Sequence, residues 1–387
     1  MIQQRQGFRK VVNFCRISKE SGLKYGWVDT CCIDKRSSAE LSESINSMYR
    51  YYAESDVCFI YLADVRASDG EEGVRVRMEK SKWFTRGWTL QELIAPSRRR
   101  VYDTDWTRIM GDRSKEGLHT ALATAAGIPR GVLDDSNPIS SFCVAERMRW
   151  VSERLTTREE DMAYCLMGLF DVHMPIIYGE GVRKAFRRLQ MEIMQTSFDQ
   201  SLFAWRAEDY EESGLLARHP SDFSRMPYLS LWGPRYLSPY TMTNVGLSVR
   251  LVDVTPRKEK KASSPETTLT AIIQCNIKNL GTREWDSVAI FLRPIEDAAF
   301  QVNGAERKAY RRIRCDEIHR VSSAVAEGSP FCDILVLEDE HHSLILNSIR
   351  GDKSGEKATL TRADLARPLP LLRVRRSPEA LEQGPVP

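Results

Sequence analysis

The sequence predicts an α/β domain in residues 1–112, a helical extension in residues 113–205 and a β-rich domain in residues 206–375. In the first segment, strand-like apolar runs alternate with helical apolar stripes, which is typical of a parallel sheet covered by helices on both faces. The second segment carries apolar residues at helical spacing. In the third, apolar runs become short and glycine and proline more frequent, as in a sandwich or barrel. Residues 376–387 read as a disordered tail.

Composition excludes several classes of protein. The 387 residues include 56 basic and 53 acidic side chains, a net charge of +3, and no basic stripe with interleaved aromatics, so we expect no nucleic-acid partner. The nine cysteines are irregularly spaced and the six histidines form no ligand pattern, which predicts free thiols in a reducing compartment and no metal. Without a signal peptide or an apolar run of spanning length, the expectation is a cytoplasmic protein with no membrane span and no bound cofactor.

The N-terminal elements follow from periodicity and from helix-start signals. Ser37 and Glu40 have the spacing of a capping box before the apolar stripe that runs from Leu41 to Tyr52. The other elements predicted here are a helix over 4–20 and strands over 25–29, 57–62 and 101–103.

The helical extension has similar signals. Helices are predicted over 118–127 and 140–155, and a second capping box is predicted from Thr157 and Glu160. Gly179-x-Gly181 precedes a long amphipathic helix and lacks the strand and third glycine of a dinucleotide fingerprint, which favours a turn over a phosphate site. Further on, the predicted strands are residues 245–252, 269–275, 288–292, 334–337 and 343–346, with a solvated loop over 257–267.

The candidate site is the block Trp83–Leu93, which follows the strand at 57–62. If Gly87 marks the turn, Trp88 and Glu92 share one face of the next helix, beside the end of a strand where ligands of open α/β sheets bind. Arg86 could hold a phosphate and Trp83 or Trp88 could stack on a base. Asp29 and Asp34, after the preceding strand, could line the same crevice.

Structural roles are the alternatives for the same residues. Glu92 is favoured near a helix start by the macrodipole alone, and Trp88 by a hydrophobic core. Arg86 could pair with Glu92 or Asp29, and Asp34 could be a turn residue. Cys31 and Cys32 lack a histidine in this half of the domain that would activate a nucleophile.

Several blocks of this sequence resemble one fungal family. W-V-D-T-C-C-I-D-K at 27–35 and W-F-T-R-G-W-T-L-Q-E-L at 83–93 look like blocks of the heterokaryon-incompatibility (HET) domain. R-E-E-D-M-A-Y-C-L at 158–166, P-I-I-Y-G-E-G at 175–181 and D-Q-S-L-F-A-W at 199–205 resemble the segment that follows it in vegetative-incompatibility proteins. G-L-L-A at 214–217 and T-M-T-N-V-G-L at 241–247 resemble the accessory region after that. The resemblance covers about residues 7–250 and implies a role in fungal non-self recognition and programmed cell death.

HET domains look like distant relatives of TIR domains, which implies a flavodoxin-like sheet. In TIR proteins the glutamate of a W-x-x-x-E helix cleaves the nicotinamide bond of NAD. Trp88-x-x-x-Glu92 has that spacing, so the analogy assigns the catalytic role to Glu92 and makes NAD the substrate. HET domains usually open with a strand like Y-A-I-L-S-H-T-W-G. That strand has no counterpart here, so the domain is expected to be N-terminally truncated and to lack the first strand of its sheet. The alternative functions are a self-assembling signalling module, which an upstream receptor could engage, and an inactive truncated member.

Overall fold

The computed structural model describes residues 6–109, 115–231, 239–255, 268–279, 281–302 and 305–339. All of these belong to one compact unit, residues 1–342. The predicted loop at 257–267, the predicted strand at 343–346 and the predicted tail lie outside the described residues.

The N-terminal part is a three-stranded sheet with five helices. Its helices are α1 (Gln6–Glu20), α2 (Asp29–Cys32), α3 (Ser38–Ala53), α4 (Gly70–Glu79) and α5 (Thr89–Ile94). Its strands are β1 (Cys58–Tyr61), β2 (Arg99–Tyr102) and β3 (Arg108–Ile109), in the order β1-β2-β3. β1 and β2 are parallel, with Cys58 opposite Arg99, and β3 is antiparallel to β2. The helices α4 and α5 make the crossover that a parallel pair requires.

Most predicted N-terminal elements are confirmed, including α1, α3, β1 and β2. The Ser37 hydroxyl accepts the Glu40 amide at 3.3 Å, which is one half of the predicted capping box. The Glu40 carboxylate does not complete the box, because it accepts the Asp34 amide at 2.8 Å instead.

The strand predicted at 25–29 is wrong. Residues 25–28 have no regular structure, Tyr25 is 92% exposed, and Asp29 begins the short helix α2. The physical reason lies in Trp27, whose ring packs on the rings of Tyr51 and Tyr52 with centroids 5.5 and 5.8 Å away. The segment therefore anchors itself to α3 by one aromatic side chain and pairs with no described strand.

Helices build the extension, as predicted. They are α6 (Lys115–Ala126), α7 (Val144–Arg149), α8 (Asp161–Tyr164), α9 (Met167–Phe170) and α10 (Val182–Thr196). The helix predicted over 140–155 is shorter than expected, because α7 ends at Arg149 and turns follow. The amphipathic α10 buries Phe186, Leu189 and Ile193 along one stripe.

The C-terminal part is β-rich, as predicted, and part of its sheet closes into a barrel. Its strands are β4 (Glu212–Ser213), β5 (Leu229–Leu231), β6 (Thr241–Met242), β7 (Leu247–Asp253), β8 (Leu269–Lys278), β9 (Trp285–Val302), β10 (Ala305–Ile313), β11 (His319–Ser322) and β12 (Phe331–Val336), with helix α11 (Ser323–Glu327) before β12. The ring runs β9-β10-β12-β7-β8 and closes through the β8–β9 pairing. Only β10 and β12 are parallel within it.

One hydrophobic core cluster connects the three predicted segments. Ile60, Leu189 and Val288 each come from a different segment, and all three belong to that cluster. The boundaries at residues 112 and 205 stay a prediction. Among the described residues, no helix has the length and apolarity needed to cross a membrane.

Candidate functional site

The block Trp83–Leu93 docks against a second stretch of the chain, residues 154–165. The Gly87 amide donates to the Leu155 carbonyl at 2.9 Å, and the Leu155 amide donates to the Thr85 carbonyl at 2.7 Å. A Cβ on Gly87 would lie 2.6 Å from Thr156 Cγ2 and 3.1 Å from Cys165 Sγ. Glycine is therefore favoured here because a larger residue would clash with the Thr156 and Cys165 side chains, and not because of a positive φ.

Polar side chains of the block fasten the same junction. The Trp88 indole donates to Asp161 Oδ2 at 3.2 Å, and Gln91 donates to the Cys165 carbonyl at 2.7 Å. From the other side, the buried Arg154 guanidinium donates to the Arg86 carbonyl and to Thr89 Oγ1 at 3.0 and 3.1 Å. Trp88 thus binds Asp161 and packs against the hydrophobic core, which is the structural role given above as the alternative to stacking on a base.

Glu92 remains outside this junction and faces a group of charged and polar side chains. Its side chain is half-buried, on the part of α5 that faces α3. Burial raises the pKa of its carboxyl, while Lys10, Arg86 and a hydrogen bond from the Tyr52 hydroxyl act in the opposite direction. The Asp29 carboxylate, close enough to act electrostatically, raises the pKa further.

The structure therefore brings together three of the six residues predicted for the site: Glu92, Arg86 and Asp29. It adds Lys10 of α1 and Tyr52 of α3, which sequence reasoning missed. Tyr52 was visible only as the last member of an apolar stripe, and Lys10 lies in a helix with no motif of its own. Burial also raises the pKa of the Tyr52 hydroxyl well above its ordinary value, with Glu92 and Cys58 as further causes.

Groups at both ends of β1 relate to Glu92. Cys58, the first residue of β1, interacts electrostatically with Glu92. Lys10, which also acts on Glu92, lies 5.7 Å from the ring centroid of Tyr61, the last residue of that strand. The predicted location of the site at the carboxyl end of the strand stays a prediction.

Trp83 and Asp34 have local roles in the structure. The Trp83 ring packs edge-on against Phe84, with centroids 4.9 Å apart, and its carbonyl accepts the Thr89 hydroxyl at 2.6 Å. The Asp34 carboxylate accepts the Arg36 amide at 3.0 Å and the Arg36 guanidinium at 3.1 Å, and these bonds hold its pKa below the usual value. Asp34 thus forms a turn with Arg36, the structural alternative for this residue.

The Gly179-x-Gly181 turn already holds an anion, the carboxylate of Glu160. The amides of Gly179 and Gly181 donate to Glu160 Oε1 at 2.7 and 3.0 Å, with φ of 97° and 79° at the two glycines. The turn and helix start predicted here are confirmed. The capping box predicted from Thr157 and Glu160 is wrong, because the Glu160 side chain binds this turn and gives α8 no side-chain cap.

The nine cysteines are all free thiols, of which Cys15, Cys31 and Cys32 are exposed. No group of three potential ligands in the described part of the chain could hold a metal ion.

Comparison with known proteins finds two family matches. Residues 2–80 match the family model for heterokaryon incompatibility protein (HET), and residues 184–230 match a domain of unknown function, DUF8212. The N-terminal part of the chain is therefore similar to the HET family. The HET match includes Lys10, Asp29 and Tyr52 and ends before Glu92.

About half of the chain is similar to a named fungal protein. The chain is 49% identical over 192 residues to vegetative incompatibility protein HET-E-1 of Podospora anserina. The aligned stretch is 48% of this chain and 14% of that relative, so the chain spans only a small part of the relative's length. No solved structure matches this chain.

Proposed function

We propose that this chain acts in vegetative incompatibility, the fungal response to non-self, and that its N-terminal part promotes cell death by cleaving NAD. The first part of the proposal is supported by the HET match over residues 2–80 and by the name of the relative that is 49% identical. The second part depends on the W-x-x-x-E spacing and on the surroundings of Glu92.

The observation that carries the enzymatic proposal is that Glu92 has a different role from the other residues of Trp83–Leu93. Gly87, Trp88 and Gln91 are used to dock residues 154–165. Glu92 is not, although it is half-buried and its pKa is raised by burial. A carboxyl group that is desolvated yet faces cations and a second carboxylate is typical of functional sites.

The chemistry needs a carboxylate beside a ribose. The bond between the ribose C1′ and the nicotinamide nitrogen breaks, and its electron pair neutralises the pyridinium. The positive charge that develops on the ribose is stabilised by the Glu92 carboxylate, as in glycoside hydrolysis. Water then adds to C1′ and loses a proton, which yields nicotinamide and ADP-ribose. Lys10 and Arg86 are placed to attract the phosphates of the substrate.

Nicotinamide release by the purified full chain tests this function. We expect Glu92→Gln to lower the rate by about 100-fold or more, the usual effect of removing a catalytic acid or base. Glu79→Gln, which changes an exposed acid at the end of α4, should leave the rate unchanged. Because the carboxylate is the active form, the rate should rise with pH through a midpoint above the ordinary glutamate pKa of 4.5.

Either of two results would refute the enzymatic proposal. One is a folded full chain that releases no nicotinamide. The other is a Glu92→Gln variant that releases it as fast as the unchanged protein.

A second candidate function, self-assembly, is favoured by the edge of the N-terminal sheet. β1 pairs with β2 on one side, and within the described residues no strand pairs with its other side. Phe8 and Val12 of the nearby α1 are 41% and 49% exposed. An unpaired edge beside exposed apolar side chains can pair with a second copy of the same chain, which would make the domain a signalling module.

A further inference from the structure

One carboxylate in the C-terminal part, that of Asp339, is bound by arginines from three separate elements. Arg183 of α10 and Arg218 contact Oδ2 at 2.6 and 2.7 Å, and Arg311 of β10 contacts Oδ1 at 2.5 Å. The Arg311 side chain is 5% exposed and that of Asp339 is 15% exposed. A single negative charge thus faces three positive charges, of which the Arg311 charge is the least screened by water, while the Arg183 side chain is 53% exposed.

Other nearby groups increase the excess of positive charge. The first turn of α10 contains Arg183 and Lys184, has no acidic residue, and has no side-chain cap. These cations stand at the helix end where the macrodipole is already positive, which favours an anion nearby. Two acids at this end already have other donors: Glu160 accepts the Gly179 and Gly181 amides, and both oxygens of Glu180 accept the Arg188 guanidinium.

Arg187 and Glu338 line the inner part of the same region. Arg187 acts electrostatically on Glu338, whose carboxyl also accepts the Leu215 amide at 2.8 Å. Burial raises the pKa of Glu338 to about 7, so near neutrality this side chain carries only part of a negative charge. Asp339 and Glu338 do not balance the five cations here called the arginine cluster (Arg183, Lys184, Arg187, Arg218 and Arg311), although Glu159 and Glu180 also line the adjoining cleft.

A cleft opens beside the arginine cluster. Its volume is about 420 Å³, and it is lined by Glu159, residues 180–184 and Asp339. A small cavity of about 20 Å³ lies next to it and shares Arg183 and Asp339 with it. Asp339 therefore stands between the open cleft and the deeper guanidinium groups. The cleft is within the size range of sites that hold small molecules.

We propose that the arginine cluster is a binding site for a small phosphate-bearing anion and that Asp339 is its internal occupant, which the ligand displaces. Guanidinium groups bind phosphate through paired N–H donors, and a phosphate offers more oxygens and more charge than one carboxylate. This site involves other residues than the Glu92 site and does not depend on the function proposed for it.

Titration calorimetry of the full chain with inorganic pyrophosphate at low ionic strength tests the site. Because Asp339 competes for the same guanidinium groups, we expect Asp339→Asn to bind pyrophosphate about tenfold more tightly than the unchanged protein. Arg183→Gln should bind it about tenfold more weakly, since one charge-assisted contact is lost. Arg75→Gln removes an exposed arginine that pairs only with Glu71 within α4, and it should bind as the unchanged protein does.

Thermal unfolding of each variant shows whether the variant is folded. In the unchanged protein, pyrophosphate should raise the midpoint of thermal unfolding, and at the same pyrophosphate concentration that rise should be smaller in Arg183→Gln. Parallel titrations with ADP identify the source of the phosphate: equal affinity means that the phosphates alone are recognised, and tighter binding means a nucleotide. The proposal is overturned if pyrophosphate and ADP produce neither heat nor a midpoint shift, or if folded Asp339→Asn binds no more tightly than the unchanged protein.

Discussion

Glu338 shows how one buried carboxyl group can make stability depend on pH. Its side chain is almost fully buried, and burial raises its pKa from 4.5 to about 7, with Asp339 raising it further and Arg187 and Arg311 lowering it. The folded state therefore holds the proton more tightly than the unfolded state does. Between these two pKa values the free energy of unfolding must fall as the pH rises.

Glu338→Gln should remove this contribution. Glutamine keeps an oxygen that can accept the Leu215 amide, but it has no proton to lose. We expect the loss of unfolding free energy between about pH 5 and about pH 8 to shrink by roughly 2–3 kcal/mol, the equivalent of about two pKa units. Urea unfolding of both proteins at the two pH values measures it. Glu146 and Asp222, whose pKa values are raised to about 7 and about 6, act in the same direction and remain in both proteins. An identical pH dependence in the two proteins would contradict this account.

At the scale of elements, the junction between α5 and residues 154–165 is the most tightly specified contact of the candidate site. The two segments pack so closely that a Cβ added at Gly87 would overlap the Thr156 side chain and press on Cys165 Sγ. The contact fixes the start of α5, and through it the direction in which Glu92 points.

Gly87→Ala should therefore destabilise the protein. The added methyl group would force Thr156 and Cys165 apart, and we expect a loss of about 1–3 kcal/mol in the free energy of unfolding. Gly7→Ala is the matched control, because Gly7 lies in α1 with nothing within 4 Å of the added atom, and it should stabilise by about 0.5–1 kcal/mol. Urea unfolding compares the two. A Gly87→Ala protein as stable as the unchanged one would show that the junction can relax.

The sequence predicts elements well wherever the signal is local. Apolar spacing identifies α1, α3 and β1, and the Ser37 cap is a contact between near neighbours in the chain. The errors at residues 25–29 and at Glu160 are of another kind. The Trp27 side chain of the strand-like segment packs on α3, so the segment does not form a strand. The Glu160 side chain binds glycines about twenty residues further on. Neither distant partner can be read from the segment itself.

The candidate site also contains residues that a local pattern identifies and residues that it does not. The i, i+4 spacing marks Glu92, and Arg86 lies in the same block. Lys10 and Tyr52 reach Glu92 only because α1 and α3 pack where they do, which no local pattern determines. Trp88 is a candidate because it shares a helix face with Glu92, and its observed partner, Asp161, lies 73 residues away in the chain.

On the scale of the whole molecule, one core connects the α/β part, the helices and the barrel. β1 is one of the edge strands, and its outer side pairs with no strand among the described residues. If this edge joins two copies, the mass of the protein in solution depends on its concentration.

Sedimentation of the full chain over a range of concentrations tests self-assembly. We expect a shift from monomer to dimer as the concentration rises, and a loss of that shift when Phe8 and Val12 are both replaced by glutamate, since like charges at the edge oppose pairing. Val325→Glu is the control, because Val325 is exposed to a similar degree, 51%, on α11 in the C-terminal part. A mass that stays monomeric at every concentration would eliminate this function.

The docking of residues 154–165 against α5 bears on how the protein can be dissected. A fragment that stops at the end of the sheet would leave Gly87, Trp88 and Gln91 facing solvent without the backbone and carboxylate they bind. The shortest piece that keeps the surroundings of Glu92 intact must extend past Cys165. Because Asp161 also accepts the Tyr178 hydroxyl, at 2.9 Å, the natural place to cut lies beyond the turn that starts α10.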